Sequence, residues 1–129
     1  MGLPKSGKTT LARALSPLIK AVHFNADDIR ENINKDLGFD IEDRIEQARR
    51  MGWLCDQVVK AGHNVIADFV CPTIETRRMF GKAIIIYMNT SIESHYTDTN
   101  ALFESPVSPN FEINERNAKI VAKNIAVRL

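Results

Sequence analysis

The sequence predicts an α/β domain built on a parallel sheet, and three observations carry that reading. Short apolar strand segments alternate with amphipathic helical ones along the chain. One of them, residues 83–88, is apolar without a break, as a strand covered on both faces requires. A glycine-bearing run at residues 2–9 opens directly into a helix, the arrangement in which helix N-termini receive phosphate groups. With 129 residues, the chain is expected to form a single domain over 1–129.

The elements follow in order. A first helix covers residues 8–16, with Leu11, Leu15 and Leu18 on one face, and Pro17 should end or kink it. A short strand at 21–24 leads to a helix at 27–34. The longest helix is expected at 41–60. There Ile41, Ile45, Ala48, Cys55 and Val58 keep a helical rhythm, with Trp53 and Leu54 alongside. Asp40 can cap its first turn and Gly62 stops it. A strand at 64–67 runs into Asp68, a helix covers 73–80, and the apolar strand at 83–88 follows. The run Ser105-Pro106-Val107-Ser108-Pro109 reads as a surface loop. An edge strand at 110–113 and a helix at 115–128 complete the chain.

Composition narrows the function. Hydrophobic residues at 44% and charged residues at 26% are ordinary for a globular domain. Seventeen Lys and Arg against sixteen Asp and Glu leave a net charge of +1, which argues against a polybasic nucleic-acid binder. No apolar run approaches the length of a membrane span, and the small, polar, basic first ten residues do not read as a signal peptide. Cys55 and Cys71 form no CxxC, which fits a reduced, cytoplasmic protein. His23, His63 and His95 are scattered without metal-ligand spacing and read as structural or solvent-facing.

Gly2-Leu3-Pro4-Lys5-Ser6-Gly7-Lys8-Thr9 matches G-x-x-x-x-G-K-[ST] at every fixed position. Glycines let the backbone wrap closely enough to aim successive N–H groups at phosphate oxygens, and the helix that follows, with Thr10 in its first turn, adds its positive end. Lys8 would reach the β- and γ-phosphates of ATP, and the Thr9 hydroxyl would ligate Mg²⁺. Asp68, at a strand end, is placed to hold the Mg²⁺ water shell. The expected architecture is therefore a three-layer P-loop NTPase fold of the nucleoside-monophosphate-kinase type. Such a loop normally follows a buried strand, so the natural chain is expected to carry several more apolar residues before Met1.

Other P-loop classes fit poorly. No glycine has Asp three positions before it, and Asn34-Lys35-Asp36 has the wrong spacing for guanine recognition, which argues against a GTPase. Motor and transporter ATPases need far more chain. A small-molecule kinase remains. Phe24-Asn25-Ala26-Asp27-Asp28-Ile29-Arg30, Asn34-Lys35-Asp36-Leu37-Gly38-Phe39 and Asp43-Arg44 together resemble the adenylylsulfate kinase family. The resemblance implies transfer of the ATP γ-phosphate to the 3′-hydroxyl of adenosine 5′-phosphosulfate. It also implies Asp27 near the acceptor hydroxyl and metal, Arg30 and Arg44 on the phosphosulfate, and Phe39 against the substrate adenine. Gln47 stands where the family has a substrate-binding Asn. Asp68-Phe69-Val70-Cys71-Pro72 resembles the family's S-F-I-S-P run, with Phe69 lining the substrate pocket or filling core.

The residues themselves allow plainer roles. Asn25 or Asp27 could cap the following helix. Arg30 could lie on a solvated face, Arg44 could pair with Asp40, and Phe39 could staple against Ile45. Three departures from the family stand out: Lys5 in place of a glycine, Gln47 in place of Asn, and a segment 91–109 without any Lys or Arg. The family carries a basic lid there, which stabilises charge and excludes water. Two rivals therefore stay open: a P-loop kinase acting on a sugar, an antibiotic or a nucleic-acid end, and a nucleotide-binding regulator without catalysis. Expected partners are ATP and a small anionic acceptor, with no membrane, and with a homodimer left open.

Overall fold

The computed structural model describes residues 1–90 and 97–129. Along them run α1 (Lys8–Ile19), β1 (Ala21–Asn25), α2 (Ala26–Asn32), α3 (Ile41–Lys60), β2 (Asn64–Asp68), α4 (Ile74–Phe80), β3 (Ile86–Met88), α5 (Thr97–Leu102), β4 (Phe111–Ile113) and α6 (Ala118–Arg128). The strands pair in parallel as two ladders, β1 with β2 and β3 with β4. Met1 and Gly2 connect the two. The Met1 amino group donates to the Ile86 carbonyl at 2.8 Å, and its own carbonyl accepts from Met88 at 2.9 Å. Gly2 N–H donates to the carbonyl of Val70, just past β2.

Two helix pairs pack on these strands, α1 with α6 and α3 with α4. Leu11 and Leu15 of α1, Met88 of β3, and Val121, Ala122 and Ile125 of α6 form one buried cluster. It presses the helix that follows the phosphate loop onto the strands, so the loop's position is set by core packing. Among the described residues no helix is long and apolar enough to cross a membrane. Cys55 and Cys71 are buried free thiols.

Several sequence expectations are corrected. Pro17 does not end α1, which continues to Ile19 and closes on Lys20 in the left-handed conformation. A proline this close to the end interrupts the helix at a single bond, and Leu15 and Ile19 on either side of it pack with the core cluster. The buried stripe of α3 is Gln47, Ala48, Met51, Gly52 and Cys55, while Ile41 and Trp53 are exposed. The strand expected at 83–88 shrinks to three residues, and Ile84 is 58% exposed. Its partner β4 is equally short, and Ile85 N–H is taken by the Asn110 side chain. Among the described residues nothing continues the ladder upstream. α2 begins at Ala26 and α6 only at Ala118, each after an Asn cap. The short α5 was not foreseen, since Thr-Asp-Thr-Asn is weak helix-forming sequence. Residues 91–96 of the expected lid segment lie outside the described residues.

Gly52 fixes how closely α3 meets the end of α4. A Cβ built there would stand 2.1 Å from the Phe80 carbonyl oxygen. In a free helix Gly→Ala gains about 0.5–1 kcal/mol. Here Gly52→Ala is expected to lower stability by about 1–3 kcal/mol through overpacking. Urea denaturation reads the sign, and a midpoint unchanged or raised would contradict this packing.

Candidate active site

The loop of residues 2–7 turns from the strands into α1 on three residues of positive φ, Gly2 at 152°, Lys5 at 61° and Gly7 at 95°. Glycine adopts this region freely, whereas a lysine there costs about 1–2 kcal/mol. That is the physical reason a glycine would sit more easily at position 5. Gly7 caps α1 without a side-chain hydrogen bond, so no side chain caps its first turn. Leu3 is buried beneath the loop, Pro4 is half-buried, and Ser6 is fully buried with its carbonyl accepting from the Thr90 hydroxyl. Lys8 folds back, its Nζ donating to the Leu3 carbonyl at 2.8 Å. Burial pushes its pKa down, and the carboxylates of Asp68 and Asp27 pull it partly back. Above the loop lies an open cleft of about 270 Å³ lined by Lys5, Gly7, Lys8, Thr9, Thr10 and Arg116.

Beside this cleft β1, β2 and the start of α1 bring four polar side chains together, His23, Asn25, Asp68 and Thr9. The parallel register sets Asn25 level with Asp68. Asn25 Nδ2 donates to Asp68 Oδ2 at 3.1 Å and to Thr9 Oγ1 at 3.3 Å. Its Oδ1 accepts from Asp28 N–H at 3.1 Å, so Asn25, and not Asp27, caps α2. His23 Nε2 lies 3.1 Å from the same Asp68 oxygen. Asp68 is only 4% exposed, and its Oδ1 has no hydrogen-bond partner among the described residues. A buried carboxylate oxygen left without a donor is costly. Together with the adjacent Thr9 hydroxyl it forms the hard-oxygen donor set that Mg²⁺ takes. The residues present therefore fit such a cation. Asp27, freed from capping, is exposed in the first turn of α2 and near enough to Lys8 and Arg30 to act on both charges.

The second group lies where α2, the 33–40 turn and α3 meet. Arg30 donates to the Gly38 carbonyl and stacks over the Phe39 ring, 4.3 Å from its centroid. Arg44 donates from Nε to the Phe39 carbonyl at 2.7 Å and from Nη2 to Thr99 Oγ1 at 2.9 Å, with its guanidinium 5.8 Å from the same ring. Phe39 is 65% exposed; the ring between the two guanidinium groups forms a surface platform. Burial first, and the charge of Arg44 second, push the Arg30 pKa down. Asp40 caps α3 as foreseen.

Gln47 requires a correction. It is 1% exposed, its Nε2 donates to the Ala26 carbonyl, and its Oε1 accepts from Asn34 at 2.8 Å. In this arrangement it ties α3 to the start of α2 and presents no group to a substrate. Arg50 holds the same turn from outside, donating to Asn34 and to both oxygens of Asp36. Phe69 is half-buried, its ring 5.6 Å from that of Phe80. The sequence reading missed the bridging role of Asn25, the link of His23 to Asp68, the reach of Thr99 and the placement of Arg116. The position of Asn25 at a strand end was the one visible signal.

A family model described as adenylylsulphate kinase matches residues 1–107. A probable adenylyl-sulfate kinase of Bacillus subtilis is 30% identical, the match covering 92% of this chain and 75% of that protein. Among solved structures, an APS kinase of Mycobacterium tuberculosis in complex with AMPPNP and APS matches at TM-score 0.87 and 20% identity, over 100% of this chain and 95% of that one. A sugar kinase from Janibacter matches at TM-score 0.75 and 16% identity, over 98% and 90%. These structural likenesses establish the P-loop NTPase fold. They do not choose an acceptor.

Asn25 combines a cap and a bridge, and two substitutions separate them. Asn25→Ser keeps a capping oxygen and loses the bridge, whereas Asn25→Ala loses both. The alanine variant is expected to be less stable than the serine variant by about 1 kcal/mol. Denaturant midpoints measure the gap, and equal stabilities would show that Asn25 does not cap α2.

Proposed function

The chain belongs to the adenylylsulphate kinase family, and we propose that it transfers the γ-phosphate of ATP to the 3′-hydroxyl of adenosine 5′-phosphosulfate. It is a phosphotransferase with a hydroxyl acceptor. The observation that carries the reading is the cluster of Lys8, Thr9, Asn25 and Asp68 beside the loop, with one Asp68 oxygen buried and unpartnered among the described residues.

The loop from Gly2 to Thr9 and Thr10 cradle the phosphate chain with backbone N–H groups, and Lys8 leaves the Leu3 carbonyl for the stronger acceptor that a phosphate oxygen offers. Thr9 and, through water, Asp68 hold Mg²⁺. Held there, Mg²⁺ would supply positive charge to offset that of the phosphates. His23 and Asn25 fix the Asp68 carboxylate by bonding to its other oxygen. Asp27 takes the proton of the acceptor hydroxyl as that oxygen bonds to the γ-phosphorus and the bond to the β-phosphate oxygen breaks, releasing ADP. Arg30 and Arg44 hold the phosphosulfate, whose paired oxygens suit the planar fork of a guanidinium better than an ammonium. Phe39 lies against the substrate base, and Phe69 lines the pocket from the end of β2. Gln47 supports the site from behind, through Ala26 and Asn34.

A second reading, transfer to another small hydroxyl acceptor, is favoured by one observation. Residues 91–109 contain no Lys or Arg, so the segment supplies no cation of its own to the transferring group. The deciding experiment is a phosphoryl-transfer assay with ATP and Mg²⁺ on adenosine 5′-phosphosulfate and on a panel of sugar and nucleoside hydroxyls. Lys8→Ala is expected to lower turnover by about 10² to 10³, the scale of one preorganised electrostatic group. Wild-type turnover in that variant would remove this mechanism. ATP binding without transfer to any acceptor would make the protein a regulator.

A further inference from the structure

Leu3, Pro4, Lys5 and Ser6 form a four-residue turn within the phosphate loop, closed by Ser6 N–H on the Leu3 carbonyl at 3.3 Å. Proline at its second position and a positive φ at its third match a type II turn, whose third position favours glycine or asparagine. Lys5 stands there instead, at φ 61°. Its Cβ crowds the backbone in that conformation, and lysine has no short polar group to offset the cost by a local hydrogen bond.

Two contacts hold this backbone in place. The Leu3 carbonyl that closes the turn also accepts from Lys8 Nζ at 2.8 Å, and the Lys5 carbonyl accepts from Arg116 Nη2 at 2.9 Å. Neither contact uses the Lys5 side chain, and a glycine would make its part of both. The turn by itself therefore gives no reason for a lysine. Lys5 is exposed, and it borders the same open cleft of about 270 Å³ as Lys8 and Thr9. Strain kept at the rim of a binding cleft, where no packing requires it, points to a use of the side chain.

From this placement we infer that the Lys5 ammonium binds the phosphate chain of ATP, a second side-chain cation beside Lys8, and that its left-handed backbone is stability given up for that contact. An ammonium on a flexible four-carbon stem can reach phosphate oxygens from an exposed position. Residues 91–109 contain no Lys or Arg, and Lys5 supplies a positive charge from within the loop. The inference rests on the proposed function only in taking ATP as the ligand of this cleft.

Substitutions at position 5 read stability and binding in opposite directions. Lys5→Gly is expected to raise the urea midpoint, because glycine adopts the left-handed region freely. In calorimetry the same variant should weaken ATP by about 5- to 30-fold, the range of a charged hydrogen bond reduced by solvent exposure. Lys5→Asn, which tolerates the turn without the charge, should weaken ATP to the same extent, and Lys5→Arg should stay near wild type. The loss should be smaller for ADP, absent for adenosine, and reduced at high salt. Wild-type ATP affinity in Lys5→Gly and Lys5→Asn would overturn the inference. So would equal losses for ATP and adenosine, or a loss in Lys5→Gly alone, which belongs to loop flexibility. A midpoint that does not rise in Lys5→Gly would show that no strain is held there, and would overturn it too. A wild-type protein that does not bind ATP would overturn the phosphate-loop reading and this inference with it. Wild-type binding with unaffected variants would overturn this inference alone.

Discussion

The geometry of the cleft depends on the parallel pairing of β1 with β2, which sets Asn25 level with Asp68. Strand side chains alternate faces, so a slip of one residue would turn one of these two away from the other. In register, one amide reaches Asp68, Thr9 and the first turn of α2 at once. A strand end, the phosphate loop and a helix start are thereby fixed relative to one another. The buried Asp68 carboxylate then has one oxygen tied by Asn25 and His23 and the other left without a donor among the described residues. A buried charge arranged in this way is expensive unless a cation completes it.

Lys8 shows the same tension from the opposite sign. It is drawn into the loop, where burial favours its neutral form, and it is satisfied by the Leu3 carbonyl together with the field of Asp68 and Asp27. A phosphate arriving in the cleft offers Lys8 a charged acceptor in place of a neutral one. The loop geometry that permits this includes a left-handed Lys5, so some backbone strain is held at the place where phosphate is expected to bind.

The group proposed to meet the acceptor is built by a different device. Phe39 is exposed, yet its surroundings are not loose. Arg30 holds Gly38, Arg44 holds the Phe39 carbonyl and Thr99, and Arg50 clamps Asn34 and Asp36 from α3. Behind them Gln47 and Asn34 form a buried amide pair. The 33–40 turn is thus held by side chains from α2 and α3, and its aromatic platform is presented by a rigid support. The run Asn34 to Phe39, which carries much of the sequence resemblance, includes both the buried fastening and the exposed ring.

Features decided by neighbouring residues could be read from the sequence alone. The phosphate loop, the bounds of α3 and its Asp40 cap depend on contacts a few positions apart, where backbone geometry follows residue type. The tertiary structure decided what depends on distant segments meeting. It made Asn25 a bridge as well as a cap, tied His23 to Asp68, hid Gln47 from the cleft and carried Arg116 to the loop. It also cut the apolar run 83–88 to three residues, because a strand is only as long as the partner it pairs with. Local chemistry specified the glycine-bearing loop that turns into the first helix. Which acid, amide and cations stand around it was set by strand register and helix packing, which no stretch of sequence encodes by itself.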